Sequence, residues 1–104
     1  MRVSISVDAP GRLVSVNGPL SAATVAELRA ALSAAAENGS GDLVLDLAGA
    51  EIVDATGLGV LVGAHRIAER RERRLVLRNV PQQIDRLLAA SRLNRVLTVE
   101  PAAG

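Results

Sequence analysis

The stretch DLVLDLAGAEIVDATGLGVLVGAHR, Asp42 to Arg66, decides how this chain folds, because two apolar runs flank an acid, a hydroxyl and two glycines. DLVLDL (Asp42 to Leu47) is a continuous apolar run with an acid near its end, the pattern of a central strand covered on both faces. AGAEIV reads as a connection. Asp54 then stands where a helix needs an N-cap, and Thr56 falls in the first turn, near free backbone N–H groups and the positive end of the helix dipole. From Gly57 onward the segment carries a helix that is apolar nearly all round, so it must pack against a sheet and a neighbouring helix together.

Working outward, VSISV (Val3 to Val7) alternates with period two, DAPG supplies a turn, and RLVSVNG gives a second strand, so the chain opens on a hairpin. After Gly18 and Pro19, Val25, Leu28, Leu32 and Ala35 recur at helical spacing, with Thr24 to Glu27 as a capping box and Asn38 and Gly39 as a stop. Beyond the central stretch, RRLVLRN is a further strand, PQQIDRLLAASRL a helix with Ile84, Leu87 and Leu88 inward, and RVLTVE a last strand. The fold class is α/β, in the order β-β-α-β-α-β-α-β. One mixed sheet, opened by the hairpin and continued through right-handed crossovers, carries the helices.

The 104 residues make one domain, 1–104, with 101–104 as a short tail. The chain is 49% hydrophobic yet holds no Phe, Trp or Tyr, so its core is Leu, Val, Ile and Ala at ordinary interior density. Stacked aromatics, the usual platform for single-stranded nucleic acid, are absent, and nucleic acid is not an expected partner. With no Cys and one His, neither thiolate chemistry nor an imidazole metal cluster is expected, and no cofactor is. The apolar stretches are too short to insert in a membrane, the N-terminus alternates like a strand, and the expected compartment is the cytoplasm.

All twelve basic residues are Arg, and they are unevenly placed. Residues 1–54 hold three Arg against seven acids and residues 55–104 nine against four, so the halves carry −4 and +5. The run from Arg66 to Arg78 reads as a solvated helix end, with Glu69 and Glu72 as helical charge pairs, or as a face for an acidic partner.

The glycines invite a nucleotide-binding reading that their spacing rejects. Gly57, Gly59 and Gly63 give G-x-G-x-x-x-G instead of the dinucleotide fingerprint, and a Walker loop needs a Lys this chain lacks. Catalysis by Thr56 would need an adjacent general base, but His65 is turns away and Asp54 is suited to capping, so no catalytic residue is expected. Capping alone accounts for the stretch. A docking surface does too: glycines flanking Leu58 leave backbone open to a partner, and a phosphate on a first-turn hydroxyl suits the fold electrostatically.

VNGPLSAATVAELRAAL, LVLDLAGAEIVDATGLGVLVGAHR and LVLRNVPQQIDRLLAASRLNRVLTVEP together resemble the STAS domain family, in particular the bacterial anti-sigma factor antagonists, over nearly the whole chain. The D-x-[ST]-G-[LI]-G core is its signature. The resemblance implies a protein that is not an enzyme but a partner-switching regulator: unphosphorylated, it binds an anti-sigma factor, often a histidine-kinase-like ATPase and serine/threonine kinase. That kinase phosphorylates the hydroxyl before the core glycine, here Thr56, and a PP2C-type phosphatase restores it. Asp54 would orient the loop, with Gly57, Leu58, Gly59 and Val62 as a contact ridge and Leu20 and Ser21 nearby. An alternative is a non-phosphorylated STAS subunit of a lipid-transport or sensor complex. The chain departs from the pattern in three ways: Ala55 and Thr56 replace the frequent Ser pair, Gly18-Pro19-Leu20-Ser21 replaces a more acidic turn, and the last helix of many members is missing after Glu100.

Overall fold

The computed structural model describes residues 2–101; the expected tail lies, from 102 on, outside the described residues. The elements run β1 (Ser4–Ala9), β2 (Leu13–Leu20), α1 (Val25–Glu37), β3 (Leu43–Ile52), α2 (Ala55–Arg70), β4 (Leu75–Arg78), α3 (Gln82–Ala90), a 3-10 turn (Leu93–Arg95) and β5 (Thr98–Val99). The expected order therefore holds. The five strands lie in one sheet in sequence order, β1 antiparallel to β2 and the other pairs parallel.

Alternation along the strands builds the core. Val14 and Val16, Leu43, Leu45 and Leu47, and Leu75 and Leu77 all point to one face and are buried. There they meet Leu28 and Leu32 of α1, Val60, Leu61 and Ala64 of α2, and Ile84 and Leu88 of α3. Burying each such leucine contributes roughly 1.5–3 kcal/mol, so aliphatic volume alone supplies the driving force.

Four expectations need correction. The central strand runs to Ile52, not Leu47: AGAEI continues as sheet because Asn17 to Leu20 of β2 pair with Gly49 to Ile52. A Cβ at Gly49 would meet the end of the exposed Asn17 side chain, which would have to turn aside. Nor is that strand covered on both faces. The row Leu13, Val44, Val76 and Thr98 lies on the face away from the buried leucines, where Val44 and Thr98 are only half-buried. The last strand shrinks to Thr98–Val99, because Leu93 to Arg95 turn as a 3-10 segment. Finally, Thr24 does take the N-cap position of α1, but no capping box forms. Its hydroxyl donates to the Pro19 carbonyl at 2.8 Å and accepts from the Ser21 N–H at 3.1 Å, folding the β2–α1 turn onto itself.

The arginine run is largely absorbed by the fold. Arg73 is buried and donates to the carbonyls of Gly41 (3.0 Å), Ala35 (3.0 Å), Ala36 (3.1 Å) and Gly11. Arg71 pairs with Glu37, Arg74 with Asp42 and Arg78 with Glu100.

Candidate functional site

The C-terminal ends of β2 and β3 and the N-termini of α2 and α3 converge at one edge of the sheet, the place where α/β folds put their sites. Asp54 organises it. As the N-cap of α2 it accepts the Gly57 N–H on one carboxylate oxygen at 3.2 Å, while the other accepts the Ala22 N–H at 3.1 Å. One acid thus starts the helix and ties the β2–α1 turn to it. That turn is closed further by Ser21, whose hydroxyl oxygen accepts the Ala23 N–H at 3.2 Å. On the other flank, Gln83 of α3 donates to the Ile52 carbonyl at 2.6 Å and accepts the Ile52 N–H at 3.0 Å, fixing the end of β3.

Thr56 is the second residue of α2 and half-exposed, and among the described residues its hydroxyl takes no hydrogen bond. Asp54, Ala55 and Gly59 are exposed beside it, and Leu58 and Val62 are half-buried. Of the expected contact residues, Gly57 and Leu58 of the ridge and the nearby Leu20 and Ser21 are not free surface. Gly57 is buried, and a Cβ there would run into the Leu20 carbonyl and sit 3.1 Å from Ile52 Cγ2, so this glycine serves close packing of α2 on β2. Leu20 is 1% exposed and Ser21 7%, so both shape the site from beneath. Leu58 leans on the core instead of standing free. The accessible surface is instead Ala22 and Ala23, Val53 to Thr56, Gly59 and the edges of Leu58 and Val62.

Sequence reasoning missed Val53, Ala22, Ala23 and Gln83. Val53 is a large apolar side chain left 49% exposed at the site; its place just before an N-cap is the one signal that singles it out, and that position more often packs as a staple. Nothing local marks Gln83, whose partner is 31 residues away.

The site is a surface, not a pocket. A large concavity of about 820 Å³ lies elsewhere, lined by Pro10, Arg12, Gly39 and Asp42 at the other end of the strands. No group of His, Asp or Glu among the described residues could hold a metal. His65 lies nine residues beyond Thr56 in the same helix, about 13 Å along its axis, and meets Glu69 at 3.3 Å. The arrangement can present a capped helix start with one free hydroxyl to another macromolecule.

Comparison with known proteins gives the family and the fold. The family model described as "Mlab, STAS domain" matches residues 5–99, and the chain belongs to the STAS domain family. The anti-sigma-B factor antagonist of Staphylococcus aureus (strain NCTC 8325 / PS 47) is 30% identical over 86 residues, 83% of this chain and 80% of that protein. The fold is shared with an anti-sigma factor antagonist from Mycobacterium paratuberculosis (TM-score 0.77, 22% identity, 98% of this chain and 88% of that one). It is shared too with the Bacillus cell fate determinant SpoIIAA in its phosphorylated form (TM-score 0.67, 18% identity, 97% of this chain and 93% of that one). No helix of the described residues is long and apolar enough to cross a membrane.

Proposed function

We propose that this protein is an anti-sigma factor antagonist, a regulatory binding protein and not an enzyme, that docks on an anti-sigma factor through the start of α2 and is released when Thr56 is phosphorylated. The observation that carries this is the Thr56 hydroxyl: half-exposed, unbonded among the described residues, and set in the first turn of a helix whose N-cap is already satisfied by Asp54. A phosphate there adds roughly −1.5 to −2 charges. The free fold tolerates them at the positive helix end, whereas a docked partner must desolvate them next to the Asp54 carboxylate. A penalty of about 3 kcal/mol weakens binding on the order of 100-fold. The partner of this reading is a histidine-kinase-like ATPase that also phosphorylates Thr56, opposed by a PP2C-type phosphatase, all in the cytoplasm. The Staphylococcus aureus relative, itself an anti-sigma-B factor antagonist, supports it.

A second reading is a non-phosphorylated STAS subunit of a lipid-transport or sensor complex, in which Thr56 is only a helix-start residue. Baits of wild type and Thr56→Glu, exposed to lysate of the source organism, separate the two. Capture of a kinase-type ATPase by wild type alone, with phosphate on Thr56 by mass spectrometry, is the expected result. Equal capture of transport or sensor subunits by both baits overturns the switch.

A further inference from the structure

We infer that the outward face of α2, running from Thr56 to Arg70, is a docking face for an acidic helix of a partner protein. The inference rests on the docking role proposed above and extends it by naming the chemistry of what docks.

Two arginines carry the charge argument. Of the six in the run Arg66 to Arg78, Arg73 is buried against backbone carbonyls, and Arg71, Arg74 and Arg78 each have a carboxylate partner. Arg66 and Arg70 are exposed, and among the described residues neither lies in an ion pair. They stand four residues apart on α2, so their side chains share one face. Glu69, between them in the sequence, is turned to His65 at 3.3 Å.

The same face leads back to the candidate site. Thr56, Gly59, Gly63, Arg66 and Arg70 are spaced 3, 4, 3 and 4 residues apart, a continuous outward line opposite the buried residues Gly57, Val60, Leu61, Ala64 and Ala68. Its middle is bare backbone. A Cβ added at Gly59 or at Gly63 meets no atom within 4 Å, so the fold needs neither glycine. Each nevertheless lowers helix propensity relative to alanine. Val62, half-buried beside the line, adds an apolar contact. A partner helix can therefore approach α2 at the short end of the interaxial range over Gly59 and Gly63 and place carboxylates against Arg66 and Arg70. Phosphate on Thr56 then falls at the head of the line, where it repels the acidic helix that the arginines hold.

The test uses a synthetic helical peptide with small residues on one face and flanking glutamates, and an isomer of the same composition with the glutamates spread evenly round the helix. Amide shifts of the full chain are followed by NMR. The expected result is displacement of the Gly59, Gly63, Arg66 and Arg70 amides by the first peptide, on the order of tenfold tighter than by its isomer. Arg66→Glu with Arg70→Glu abolishes that preference. Gly59→Ala with Gly63→Ala weakens it, while raising Tm by about 5 °C or more as helix propensity improves. Equal binding of both peptides, or shifts confined to other surfaces, overturns the docking face, as does an alanine pair that stabilises the fold without weakening peptide binding. Because no anti-sigma factor enters the experiment, its outcome is independent of whether the lysate experiment finds one.

Discussion

Asp54 and Gly57 show how much of the site is structural necessity at the level of single residues. Asp54 serves two backbone donors from different segments, Gly57 of its own helix and Ala22 of the β2–α1 turn. Asp54→Ala should cost about 1–2 kcal/mol in urea denaturation, more than a cap on an isolated helix. Asp54→Asn, which keeps an acceptor, should recover most of it. Gly57→Ala should be worse tolerated than its size suggests, about 1–3 kcal/mol, because the new methyl must displace the Leu20 carbonyl or the whole start of α2. Leu58→Ala, at a half-buried side chain leaning on the core, should fall below the 2–5 kcal/mol or so of a full core truncation. Asp54 as cap and Thr56 in the first turn were legible in the sequence, since capping is local chemistry. Burial of Leu20, Ser21 and Gly57 was not, because it depends on α2 crossing the end of β2, a contact made by elements more than thirty residues apart.

At the scale of elements, Arg73 joins pieces that the strand ladder leaves apart. It donates to Ala35 and Ala36 at the C-terminus of α1, a helix with no basic residue in its own last turn, and to Gly11 and Gly41 in the two neighbouring loops. A guanidinium can do this because its donors form a rigid planar fork; an ammonium cannot span the same carbonyls. Arg73→Ala should destabilise the protein by about 2–4 kcal/mol, since the buried Gly11 and Ala36 carbonyls lose the guanidinium donor. Arg73→Lys should restore less than half of that, measured by the same denaturation, and full rescue would mean that charge alone matters. In the sequence Arg73 is indistinguishable from its basic neighbours. Periodicity gave the elements reliably where apolar residues repeat, in α1, α2 and β2, and failed where pairing overrode composition. AGAEI is poor in strand formers yet extends β3, because Asn17 to Leu20 offer a ladder to it. RVLTVE is rich in them yet contributes only Thr98 and Val99.

Across the whole molecule, the opposite charges of the two halves of the sequence close onto each other. Glu37 and Asp42, from the acidic half, pair with Arg71 and Arg74, from the basic half, so much of the asymmetry is intramolecular and only part of it remains for partners. Asp42 registers this most clearly. The hydrogen bond from Arg74, at 2.8 Å, holds the Asp42 carboxyl below its ordinary value; desolvation opposes it, and the Arg74 charge adds a lesser lowering. The same pair raises Arg74. A carboxyl with a depressed folded pKa binds its proton more readily in the unfolded chain. Its contribution to stability is therefore complete above the unfolded value and is lost as pH falls through the lower, folded one. Stability measured by urea denaturation should thus decline on acidification below about pH 5, with part of the slope assigned to Asp42. Arg74→Ala should remove that part, and NMR titration should return the Asp42 carboxyl to the ordinary range. Both groups are exposed, so high salt should shrink the effect in the wild type and leave the variant little changed. A slope that Arg74→Ala does not alter would place the acid sensitivity elsewhere.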